Sequence, residues 1–67
     1  MTLLTARNAV ARARIRHDRY LDHLIAQGHV PTVEQHNRLD SLNAEREAAT
    51  NELERVLVQL VGRGVAA

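Results

Sequence analysis

Gln27-Gly28-His29-Val30-Pro31-Thr32 is the stretch that decides the fold. Gly28 has no Cβ and can take the left-handed conformation that ends a helix. Pro31 cannot continue a helix and pushes Val30 toward extended geometry. Thr32 is a good N-cap, and Gln35 three residues on completes a T-x-x-Q capping box. Stop, turn and start signals thus fall within six residues, which predicts a tight link between two antiparallel helices.

Working back from the turn, helix 1 is expected over about 2–27. Leu3, Ala6, Val10, Ala13, Leu21 and Leu24 recur three or four residues apart, with His17 filling the missing step. That is a heptad-like seam and not a strand alternation. The alanines raise helix propensity and allow a neighbouring helix to come close. A second stripe runs through Leu4, Ala11, Ile15 and Ile25, interrupted by Asp18 and Asp22. One stripe suffices for a lone hairpin, so two imply a further helical partner.

Working forward, helix 2 is expected over about 33–61. Its seam is Leu39, Leu42, Arg46, Ala49, Leu53, Val56 and Leu60, widened by Leu57 and Val61. Gly62 and Gly64 are expected to end it and to leave 62–67 as a frayed tail. Folding at 28–32 pairs positions whose numbers add to 63: Leu24 with Leu39, Leu21 with Leu42, Val10 with Leu53, Leu3 with Leu60. His17 and Arg46, the polar breaks in the two seams, also add to 63. They are expected to form a register-setting polar layer, with neutral His17 accepting a hydrogen bond from Arg46. A second reading makes His17 a pH switch, because its protonated ring would repel Arg46.

Composition narrows the function. Sixty-seven residues form one domain at most, marginal in stability unless something staples it. There is no cysteine to do so and only one aromatic residue, Tyr20. Oligomerisation is therefore expected, most simply as a dimer that makes a four-helix bundle. No stretch approaches the roughly 18 apolar residues of a membrane span, and a cytoplasmic location is the default expectation. Five Arg against two Asp make residues 1–31 basic, whereas four Arg against six acids make 32–67 acidic. This opposition biases the helices to pair, although each exposed ion pair contributes only about 0.2–1 kcal/mol. All nine basic residues are Arg, as GC-rich bacterial or phage coding gives, or as selection for forked contacts to phosphate and carboxylate would give.

Within Arg12-Ala13-Arg14-Ile15-Arg16-His17-Asp18-Arg19, the residues Arg12, Arg16 and Arg19, continued by His23, fall on one helical face. Such a face suits an acidic protein partner or a phosphate backbone, with Ile15 as its apolar member. His23, His29 and His36 flank the turn near Asp22 and Asp40, but their spacing matches no zinc-ligand motif, and neither metal nor cofactor is expected. No Gly-rich phosphate loop is present, and the hydroxyls of Thr2, Thr5, Thr32, Ser41 and Thr50 suggest no triad, so an enzyme is not expected.

The hairpin over 3–61, with an Arg-bearing first helix and an exposed Ile15, resembles the Rop family of small plasmid regulators. Those are helical hairpins of similar length that dimerise into four-helix bundles and bind paired RNA loops. The resemblance implies a homodimer and nucleic-acid contact through Arg12, Arg16 and Arg19. The residues themselves favour a self-associating interaction module that docks a partner protein through the outer face of helix 1. A structural subunit of a larger assembly, packed through Leu4, Ile15 and Ile25, is the third reading.

Overall fold

The computed structural model describes the backbone of residues 2–66 and side chains as far as residue 62. Two helices, α1 (Leu3–Ala26) and α2 (Val33–Ala66), pack against each other in a rod 56 Å long and 17 by 14 Å across. Each begins on a threonine. Thr2 caps α1 by accepting from the Thr5 amide at 3.1 Å. Thr32 caps α2 in the same way, accepting from the Gln35 amide at 3.1 Å. Gln35 Oε1 returns the favour by accepting from the Thr32 amide at 3.0 Å, which closes the capping box. Gly28 has φ +77°, the left-handed residue that α1 needs in order to stop.

The core is a thin seam. Ala6, Ala13 and Leu24 from α1 are buried with Leu42 and Val56 from α2, and Leu3, Val10, Leu21, Leu39 and Leu53 are half-buried along the same line. Two of the three buried residues of α1 are alanines, small enough to let the two backbones approach. Cross-helix contacts follow a register close to the expected one: Gln27 bonds Gln35, and Arg16 pairs with Glu45.

Three expectations are corrected. First, α2 does not end at Val61 but runs through Gly62 and Gly64 to Ala66; Ala67 lies outside the described residues. Glycine costs a helix about 1 kcal/mol relative to alanine but keeps its amide, so it stops a helix only when it adopts positive φ. Gly62 does not. Second, Leu60 closes the seam in the sequence but is 42% exposed, because only the first turn of α1 is there to cover it. Third, His17 and Arg46 are half-buried as expected of a seam, but they do not bond each other. His17 Nδ1 lies 3.0 Å from Asp18 Oδ1, and Arg46 donates to Asn43 Oδ1 at 2.8 Å. Nearby partners on the same helix hold both side chains.

Candidate interaction faces

The two helices define a slab with two broad sides, and their chemistry differs. One side is charged. Arg16, Arg19, Tyr20 and His23 of α1 and Arg38 of α2 line a shallow depression of about 340 Å³ floored by Leu42. Arg16 also reaches across to Glu45, with Nη1 to Oε2 3.1 Å, and the two side chains are 55% and 46% exposed. The Tyr20 and His23 rings lie 6.2 Å apart, tilted by 35°.

The structure therefore gathers three of the four residues expected on the outer face of α1. Arg12 stands apart, its Nε 3.4 Å from the Asn8 carbonyl. Ile15 is half exposed at the back edge of α1, one turn from Arg12 and from Arg19. Arg38, Glu45 and Tyr20 were not anticipated in this cluster. The register pairing contains the signal for Glu45, since it falls within a turn of the position opposite Arg16.

The other side is apolar at both ends. Near the turn, Leu21, Leu24, Ile25, Val30, Pro31 and Leu39 line an open cleft of about 520 Å³, and Ile25 is 71% exposed. At the open end Leu57 and Val61 are exposed on this side, with Leu4 and Val58 at its outer edges. Between these ends Arg14, Arg46, Glu47, Thr50 and Asn51 line a polar depression of about 270 Å³. At about 100° per residue, no exposed large aliphatic among the described residues projects from the charged side. An isolated hairpin leaves all of this surface in water, at roughly 25 cal/mol per Å² of apolar area that a partner could cover.

The remaining candidates are accounted for locally. Thr2 and Thr5 bond each other, Thr32 caps α2, and Thr50 Oγ1 donates to the Arg46 carbonyl at 3.0 Å. Among the described residues no group of three or more His, Asp or Glu is placed to hold a metal ion. No helix of the described residues is long and apolar enough to cross a membrane. No protein-family model matches the chain, and neither a curated protein nor a solved structure matches it.

Proposed function

We propose that the hairpin is a non-catalytic interaction module that self-associates into a dimeric four-helix bundle and offers its charged side to an acidic partner protein. The observation that carries this reading is the segregation of the surface. Ile25, Leu57 and Val61 stand exposed on one side of the slab, with Leu4 and Val58 at its edges, while Arg19, Arg38 and His23 stand on the other. A cysteine-free chain with five buried apolar residues among those described has little core of its own, and covering the apolar side with a second copy supplies the missing one.

The experiment is thermal melting followed by circular dichroism over a roughly hundredfold range of chain concentration, in which a dimer melts higher as concentration rises. A melting temperature independent of concentration would remove self-association from the proposal. Partner docking depends on the arginine cluster, with Ile15 outside it at the back edge of α1, so Arg19→Ala should weaken capture of an acidic partner without lowering the melting temperature and Ile15→Ala should weaken it less.

A second reading, a nucleic-acid-binding regulator of the Rop type, is favoured by one observation. Tyr20 sits among Arg16, Arg19 and Arg38, and an aromatic ring among guanidinium groups can stack on a base while they hold phosphate. Fluorescence anisotropy with an RNA hairpin at two salt concentrations separates the two. Nucleic-acid affinity should collapse as salt rises, with a slope that Arg19→Ala reduces by about one phosphate contact. Absence of binding at low salt would retire this reading.

A further inference from the structure

We infer that the second copy docks on the apolar side with its turn at the same end of the bundle, and that Arg7–Glu54 and Arg14–Glu47 contacts between copies select this arrangement. The inference rests on the self-association proposed above and adds its geometry. The occupant of the apolar side is thus another molecule of this chain, related by a two-fold axis along the length of the hairpin.

The charged middle of that side carries the argument. Arg14 and Glu47 line the same mid-length depression, yet neither makes an ion pair within the hairpin. Arg7 and Glu54 lie seven residues from them, two helical turns along the same face, and are likewise exposed and unpaired among the described residues. In sum, two arginines on α1 and two glutamates on α2 point to one side without an ion-pair partner, Glu47 accepting only from the Asn43 side-chain amide at 3.4 Å. Along its 56 Å this side therefore reads apolar, charged, apolar. This side runs the whole 56 Å length and the 17 Å width of the hairpin.

Two symmetric arrangements cover the side completely, and charge distinguishes them. With both turns at one end, α1 of each copy lies on α2 of the other. Positions adding to 61, the offset of the observed Arg16–Glu45 pair, then meet between copies. Arg7 meets Glu54 and Arg14 meets Glu47, and symmetry makes each contact twice. The cleft of Leu21, Ile25 and Leu39 closes on its own copy, and Leu4 falls beside Leu57.

With the turns at opposite ends, α1 lies on α1 and α2 on α2. At the same offset, full overlap sets Arg14 against the uncharged Ala11 of the second copy. Glu47 and Glu54 face the uncharged Thr50 and Asn43, and only Arg7, opposite Asp18, keeps an opposite charge. Four favourable contacts thus compete with two. Exposed pairs add little affinity, but they discriminate between arrangements that bury similar apolar area.

Because the chain has no cysteine, His29→Cys places a single nitroxide at each exposed turn. Pulsed dipolar spectroscopy should then give a turn-to-turn distance of roughly 10–25 Å, the width of one or two packed helices. A distance of about 50 Å, close to the 56 Å length of the hairpin and to the span of α2, would overturn the arrangement and leave self-association standing. No dipolar coupling together with a monomer mass would overturn self-association itself. As a second readout, Arg14→Glu should weaken the dimer roughly tenfold at low salt, and Glu47→Arg added to it should recover most of that loss. If the double variant recovers nothing, the Arg14–Glu47 contact is not made.

Discussion

Gln27 and Gln35 bind each other through both ends of their side-chain amides. Gln27 Nε2 donates to Gln35 Oε1 at 3.0 Å, and Gln35 Nε2 donates to Gln27 Oε1 at 2.9 Å. Gln27 caps the C-terminus of the first helix and Gln35 sits in the first turn of the second, so this ring of two hydrogen bonds clasps the hairpin across its turn. Gln35 Oε1 also accepts from the Thr32 amide. One side chain therefore starts α2 and fastens it to α1.

Removing either glutamine opens the clasp, but removing Gln35 also opens the capping box. A net hydrogen bond contributes about 0.5–1.5 kcal/mol, so Gln27→Ala should cost about 1 kcal/mol and Gln35→Ala about 2 kcal/mol in urea denaturation. The double variant should cost less than the two singles added together, because the singles remove the same pair. Strict additivity would show that the amides do not interact in solution.

Gly28 and Gly62 should respond oppositely to alanine. Gly28 holds φ +77°, where a Cβ is strained even though nothing crowds it, so Gly28→Ala should destabilise by about 1 kcal/mol. Gly62 lies in helical backbone, and a Cβ there meets nothing within 4 Å. Gly62→Ala should therefore stabilise, or at least raise helicity, by about 0.5–1 kcal/mol. Equal effects of the same sign would contradict the helical assignment at 62.

Ala6 is wholly buried where the two backbones come close. Enlarging it forces the helices apart, and Ala6→Leu should cost about 1–3 kcal/mol. The same change at exposed Ala11, on the outer edge of α1, should stay within about 0.5 kcal/mol. Chemical denaturation of the two variants side by side checks the seam directly.

Arg16 and Glu45 form the only ion pair between the helices among the described residues. Both are about half exposed, so solvent screens the pair and Arg16→Ala should cost less than about 0.5 kcal/mol in hairpin stability. Added salt should shrink even that difference. A loss above about 1 kcal/mol would mean that Arg16 is held in a much drier setting than the exposed side of the slab provides.

The turn was legible in the sequence because its signals are local. Gly28, Thr32 and Gln35 each satisfy or release backbone groups within a few residues, whatever the rest of the chain does. The seam was legible because helical periodicity repeats over six turns. Leu60 departed from it only because the neighbouring helix runs out there. What was not legible depends on register and on competition between partners. Gln27 reads as an ordinary helix end until α2 brings Gln35 beside it. His17 and Arg46 do stand at matching levels, but Asp18 and Asn43 are nearer and hold them first. Gly62 and Gly64 look like terminators, yet a glycine ends a helix only through a positive φ, and the residue types do not report φ. The depression ringed by Arg16, Arg19 and Arg38 needs both helices placed before it exists.

Self-association is the claim on which the rest depends, and sedimentation equilibrium of the unmodified chain tests it most directly. At micromolar concentration and moderate salt the mass should be twice that of the 7.5 kDa chain, falling toward the monomer only on strong dilution. A single 7.5 kDa species at every concentration, still fully helical, would mean that the hairpin stands alone with its apolar side in water.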